Sequence, residues 1–251
     1  MYPILFSLGR IHFYTHGIFI ALGALLGGGI IYYLSKKEKL PTTFLIDILI
    51  YSLLAGLIGA RLGYVVTYYY HFGNWQEMFL PQFGGLVSFG GILFGFLVAG
   101  LILRRRRENV LKWFDIGIIG LLVGWAIGKI GCLLSGDTPG ISYVGKMAIG
   151  GQLPVALFEA IWCVLVAGLL FSLIIKKKNM LARIPDGFLF LSGLFGYFLG
   201  SFILDFWRQD LVSVMILWHL KAGQWASIVV LLGILFFSFV HPKIKKGAQN
   251  A

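Results

Sequence analysis

Arg61, Lys129, Glu159, Asp205 and Arg208 stand in, or at the ends of, runs of residues that are otherwise almost wholly apolar. A charge in such a run is costly and is retained chiefly where it does something. The three cations Arg61, Lys129 and Arg208 are matched in number by the carboxylates Asp137, Glu159 and Asp205. His16 opens the first apolar run and carries a side chain whose ordinary pKa suits proton transfer near neutral pH. Such a set can hold helices together as buried ion pairs, or it can bind an anion and move a proton. For any single pair both readings stand open. No HExxH, GxSxG or phosphate-loop motif is present, so a zinc peptidase, a serine hydrolase and a nucleotide-driven pump lose support. Cys132 and Cys163 both lie inside apolar runs, and the histidines are scattered. Neither a disulfide framework nor a metal-ligand spacing results, and no cofactor is called for.

The elements that position these groups follow from composition. Of 251 residues, 59% are hydrophobic and 12% charged, with a mean hydropathy of +0.88. A soluble domain carries about twice that charged share. Too few charges remain to cover a water-facing surface, which excludes a soluble enzyme, a disordered chain and a nucleic-acid-binding module despite the +11 net charge. Seven apolar stretches, at about 16–34, 43–69, 84–103, 113–134, 153–175, 188–207 and 222–240, approach or exceed the roughly 20 residues needed to cross a bilayer. The second is long enough to tilt or kink. Period-two alternation is absent, so the expectation is an all-α, seven-helix membrane bundle formed by a single domain over 1–251 rather than a barrel. The first run lacks the basic flank and small-residue cleavage site of a signal peptide, and stays as a helix.

The basic residues sort by loop. Lys36, Lys37 and Lys39, then Arg104 to Arg107 with Lys112, then Lys176 to Lys178 with Arg183, then Lys243, Lys245 and Lys246 fall on one side. Only Arg10, Lys146, Arg208 and Lys221 fall on the other. The positive-inside rule places the N-terminus outside and the C-terminus in the cytoplasm. The Arg104–Arg107 run then reads as a topology anchor touching anionic lipid, with no nucleic acid involved. At a rise of about 1.5 Å per residue, this orientation brings His16, Arg61, Lys129, Asp137, Glu159, Asp205 and Arg208 to one layer at the outer boundary of the hydrocarbon. Convergence of so many groups from separate helices favours a site. Asp47 and Asp115 lie instead near the cytoplasmic starts of outward-running helices, where a carboxylate favours a helix N-terminus, and read as structural.

Most of the 34 glycines are expected to let membrane helices approach closely. Gly84, Gly85, Gly136 and Gly140 flank turns beside the polar layer, where bare backbone N–H groups could approach a phosphate. A cationic pocket in the outer leaflet, walled by apolar helices, suits a phospholipid with its phosphate against Arg and Lys. The physical reading of the residues ends there.

Six collinear segments carry a resemblance. Gly59-Ala60-Arg61-Leu62-Gly63-Tyr64-Val65 is similar to a GxRLGYV motif. Gly84-Gly85-Leu86-Val87-Ser88-Phe89-Gly90-Gly91 is similar to a GG…GG loop. The run from Gly128 through Lys129, Gly131, Cys132, Ser135, Gly136 and Asp137 to Gly140 resembles the signature GRxGNFxNGExxG. Pro154 to Glu159 resembles HPxQLYE, Gly196 to Gln209 resembles YGxxRFxxEFFRQ, and Gly223 to Ser227 resembles GQxLS. Together they resemble the prolipoprotein diacylglyceryl transferases of bacteria. The departures are Lys129 for the signature Arg, Cys132 and Ser135 for its Asn positions, and Asp137 for its Glu. Further ones are Ser201 for a second Arg, Phe89 for the loop His or Tyr, Leu153 for the His of the Pro154 segment, and His16 for a first-span Tyr.

The resemblance implies transfer of a diacylglyceryl group from phosphatidylglycerol to the lipobox cysteine of a prolipoprotein signal peptide. The setting would be the outer leaflet of a bacterial cytoplasmic (inner) membrane, in a multi-pass protein surrounded by membrane lipids. It implies catalytic roles for His16, Lys129, Asp137, Glu159 and Tyr197, and substrate binding by Arg61, Gly84, Gly85, Ser135, Gly140, Ser201, Asp205 and Arg208. The phosphate needs cations as its charge develops, for which Lys129 and Arg61 are the candidates, and the thiol needs a base. Two other readings stay open: a family member that binds phospholipid or a lipoprotein precursor without turnover, and a transferase using another lipid donor or acceptor.

Overall fold

The computed structural model describes residues 2–8, 11–79, 85–180, 185–209, 215–217 and 220–249. Gly84, Arg10 and Arg183 lie outside the described residues. The order is β1 (Ile4–Leu8), β2 (Ile11–Tyr14), α1 (Thr15–Lys37), α2 (Leu45–Thr67), a 3-10 turn (Tyr69–His71), α3 (Trp75–Phe79), α4 (Ser88–Arg105), α5 (Val110–Ser135), α6 (Val155–Met180), α7 (Phe188–Leu204), a 3-10 turn (Asp205–Trp207), β3 (Met215–Leu217), β4 (Leu220–Lys221) and α8 (Ala222–Gln249). Among the described residues, six helices are long and apolar enough to cross a membrane, and the described apolar part of α8, Ala222–Phe236, is shorter. The protein is a helical, multi-pass membrane protein. Helices suit that setting because all their backbone polar groups bond within the segment. Large apolar side chains such as Leu25, Val66 and Leu169 point outward, as lipid-facing residues do.

Among the described residues, two short antiparallel ribbons accompany the helices: β1 with β2, and β3 with β4. They are too short to produce a period-two signal against so apolar a background. The first stacks Phe6 on Phe13 with ring centroids 4.5 Å apart. The second span is a single continuous 23-residue helix.

The chain forms two compact units, Tyr32–Phe114 and Met1–Ile31 with Asp115–Ala251. In the first unit α2 and α4 pack through glycines: a methyl at Gly59 would lie 2.6 Å from the Gly90 carbonyl oxygen. In the second, α1 and α5 cross the same way, and a methyl at Gly124 would lie 2.8 Å from the Gly23 carbonyl oxygen. Close backbone approach is what small residues supply where apolar burial gives no drive. The centre of α5 is fully buried at Ile116, Ile118, Ile119 and Leu122. Asp115 is buried too. Its carboxylate accepts from the Gly187 and Phe190 N–H groups, both at 2.8 Å, and so caps α7, a helix other than its own, whose first N–H groups would otherwise be orphaned. Asp47 sits in the first turn of α2.

Candidate functional site

Lys129 comes two turns before the end of α5, and Glu159 in the second turn of α6. Their charges meet, Nζ to Oε2, at 2.5 Å. The other Glu159 oxygen, Oε1, accepts from Arg208 Nη2. Arg208 Nη1 also pairs with Asp205 Oδ1 at 2.9 Å. The 3-10 turn after α7 makes this possible: Asp205 opens it, and Arg208 leaves it in extended conformation, so an i,i+3 pair forms where the helix stops. Lys221 donates from Nζ to the Asp205 carbonyl at 2.8 Å and to the Arg208 carbonyl. Glu159 and Asp205 are buried, and Lys129 keeps 12% of its side chain exposed. Burial opposes the Arg208 charge, yet Glu159 and Asp205 outweigh it and raise its pKa above the ordinary guanidinium value. Three cations thus surround two carboxylates.

A second polar group forms one turn further along α5. Gly136, with φ of 82°, ends the helix: its N–H and that of Asp137 both reach the Cys132 carbonyl, at 2.9 and 3.2 Å. Only a residue tolerant of left-handed backbone closes a helix this way, and the turn brings Asp137 back toward α1. Asp137 Oδ2 lies 3.3 Å from His16 Nδ1 and accepts from the Ser135 hydroxyl at 2.6 Å. Cys132 Sγ lies 3.3 Å from the same His16 nitrogen. Backbone bonds fix where α1 begins. Tyr2 N–H reaches the Leu134 carbonyl at 2.7 Å, Thr15 N–H reaches Pro3 at 3.0 Å, and the buried Thr15 hydroxyl donates to the Tyr2 carbonyl.

The loop after α5 is stitched to the end of α7. Ile141 N–H bonds the Trp207 carbonyl and Gln209 N–H the Pro139 carbonyl, at 3.0 and 2.9 Å. Gly140, buried here, has no room for a side chain, because a methyl would collide with the Leu153 carbonyl. Steric need therefore accounts for this glycine. Tyr197 is buried edge-on to Trp125. With Glu159, Trp162 and Ser201 it borders a small, partly open cavity of about 10 Å³, room for about one water molecule.

In the other unit, Arg61 donates from Nε to the Met78 carbonyl and from Nη2 to the Glu77 carbonyl, both at 2.9 Å, and from Nη1 to Gly85 at 3.4 Å. Its guanidinium also lies over the rings of Tyr64 and Phe72, at 5.6 and 5.5 Å. Arg61 thus fastens the C-terminal carbonyls of α3, and Gly85 leaves room for the Tyr64 ring beside it.

Lys129, Glu159, Asp205 and Arg208 come together as one network, and His16, Ser135 and Asp137 as another on the same helix end. The residue-level reading missed the Cys132 contact, since an apolar neighbourhood and a separation of 116 positions gave no signal. It also missed Lys221 as a clamp and the buried Gln224, whose Oε1 accepts from the Lys221 N–H at 3.0 Å.

The family described as prolipoprotein diacylglyceryl transferase matches residues 3–240. The chain belongs to this family. It is 30% identical to the phosphatidylglycerol–prolipoprotein diacylglyceryl transferase of Staphylococcus carnosus (strain TM300), over 97% of this chain and 94% of that protein. The proteins of the same name from Clostridium botulinum (strain Loch Maree / Type A3) and Clostridium kluyveri (strain ATCC 8527) are 28% and 29% identical. Each comparison covers 98% of this chain, and 98% and 99% of the respective relatives. As a family member the chain carries its charged network on α5, α6 and the end of α7, where the GRxGNFxNGExxG-like, HPxQLYE-like and YGxxRFxxEFFRQ-like segments fall.

Proposed function

We propose that this chain transfers a diacylglyceryl group from phosphatidylglycerol to the lipobox cysteine thiol of a prolipoprotein signal peptide, at the outer leaflet of a bacterial cytoplasmic membrane. In this reading the chain is one membrane domain of seven spans, with its N-terminus outside and its C-terminus cytoplasmic. The observation that carries the proposal is the buried network of Lys129, Glu159, Asp205, Arg208 and Lys221 in a full-length member of the family. Its formal balance of one positive charge matches the single negative charge of a phosphodiester. The leaving phosphate gains charge as the carbon–oxygen bond breaks, and preorganised cations in a dry site lower that barrier. Lys129 carries this role as a point charge, without the two-pronged grip of an arginine. Tyr197 and Ser201 border the cavity beside Glu159 and are proposed to touch the bound donor. Arg61 holds the C-terminal carbonyls of α3 and is proposed to act by ordering that segment rather than by binding phosphate itself.

One observation favours a binding-only reading. Glu159 bridges both Lys129 and Arg208, an arrangement that also serves as a purely structural ion triad. Release of glycerol phosphate separates the two. Purified protein is incubated with head-group-labelled phosphatidylglycerol, with and without a lipobox peptide. The transferase releases glycerol phosphate only when the cysteine peptide is present. Retention of lipid without release leaves the binding reading.

A further inference from the structure

His16 meets two groups at one ring nitrogen. Its Nδ1 lies 3.3 Å from the Asp137 carboxylate and 3.3 Å from the Cys132 sulfur. An ionised carboxylate only accepts hydrogen bonds, so its position 3.3 Å from Nδ1 favours a proton on that nitrogen. A bare Nδ1 would set its lone pair against a negative oxygen. The Ser135 hydroxyl spends its proton on the same Asp137 oxygen at 2.6 Å, which holds the carboxylate in place. The Cys132 sulfur flanks the same nitrogen on the other side at 3.3 Å and can serve it as a weak acceptor. Nε2 has no hydrogen-bond partner among the described residues, and the side chain is 36% exposed.

We propose that Asp137, Ser135 and Cys132 hold His16 in its Nδ1–H tautomer, leaving Nε2 as the base for an incoming thiol. This rests on the transferase reading above. The acceptor S–H gives its proton to Nε2, and the thiolate attacks the glyceryl carbon of the lipid. The carbon–oxygen bond to phosphate breaks, its electron pair goes to the phosphate oxygen, and glycerol phosphate leaves and takes the proton from Nε2. Asp137 offsets the imidazolium charge that exists between these two transfers.

The competing bases are placed or matched less well. Glu159 is held by two cations and Asp205 by Arg208. Asp137 could take the proton itself, but ordinary carboxyl and thiol pKa values differ by more than about 4 units, while imidazole is within about 2 of a thiol. A base closer to the thiol and to neutral pH transfers the proton more efficiently. His12, the described histidine of the β1–β2 ribbon, faces the Ser7 hydroxyl at 2.8 Å. Asp137, Ser135 and Cys132 are positioning residues, since each acts through His16.

The test has two arms on the full chain in lipid nanodiscs. In the first, 15N-histidine spectra read which ring nitrogen is protonated, with His16→Gln assigning the signal. Protonated Nδ1 and bare Nε2 are expected in the parent, with the balance moving toward Nε2–H in Asp137→Asn. A bare Nδ1 in the parent overturns the proposal whether or not the protein turns over. In the second arm, His16→Gln lowers kcat by at least about 100-fold with KM for phosphatidylglycerol unchanged. Asp137→Asn lowers kcat by less, and Asp137→Glu restores it. An unchanged kcat in His16→Gln overturns the base role. A parent that shows the Nδ1–H tautomer but forms no thioether with phosphatidylglycerol overturns the transferase reading, and the base role with it.

Discussion

Lys129 and Arg61 are both cations inside membrane helices, and their surroundings treat them in opposite ways. Lys129 faces a carboxylate from another helix at 2.5 Å. Arg61 turns toward the backbone carbonyls of Glu77, Met78 and Gly85 and toward two aromatic rings. Carbonyl oxygens at a helix C-terminus carry partial negative charge and need donors, so Arg61 does for α3 what a cap does. A carboxylate shared between two cations is instead a charge arrangement that an arriving anion can reset. Depth in the membrane alone does not tell these two surroundings apart. The partner does.

The largest expected effect follows from Glu159, which bridges Lys129 and Arg208. Glu159→Ala leaves Lys129 without its carboxylate and Arg208 with Asp205 alone, and removing one partner of a buried ion pair costs about 3–5 kcal/mol. Poor recovery and a lower unfolding temperature are expected, and the double variant Glu159→Ala/Lys129→Ala should regain part of the loss. A single variant as stable as the parent would mean that the network is not the shared centre described here.

Lys129→Ala comes next. Removing one preorganised cation is expected to lower kcat about 100- to 1,000-fold in protein that remains folded, while Lys129→Arg is tolerated. Arg61→Ala sharpens the contrast. It loses the grip on α3, with a local cost of about 1–3 kcal/mol. The first sign should be faster protease cleavage around 73–85, which Arg61→Lys does not repair because one ammonium cannot hold all three carbonyls. If Arg61→Ala lost all activity with that segment still protected, Arg61 would belong with Lys129 after all.

Asp115→Ala should do least. Loss of a buried cap costs about 1 kcal/mol, read as lower yield, with activity per folded molecule unchanged.

Six of the seven expected spans were legible as helices of bilayer length among the described residues, because an apolar run of that length has few alternatives. The convergence of Lys129, Glu159, Asp205 and Arg208 was legible from their depths within those runs. Pairing was not. Depth places Arg61 beside the other cations, but the direction of its guanidinium depends on a five-residue helix, Trp75–Phe79, too short to announce itself in sequence. The role of Asp115 was half legible: its place near a helix start was clear, but the helix that it caps begins 73 residues further on, at Phe188. The His16–Cys132 contact depends on the turn at Gly136 and on the backbone bonds of Tyr2 and Thr15, which only the folded chain brings together.

The most direct test of the central claim is the mass of a lipobox peptide after incubation with the purified protein and phosphatidylglycerol, with the Cys→Ser peptide beside it. An active transferase predicts that the cysteine peptide gains one diacylglyceryl group through a thioether and the serine peptide gains nothing. No gain by the cysteine peptide, in protein shown to be folded and with phosphatidylglycerol and other phospholipids each supplied as donor, would contradict it.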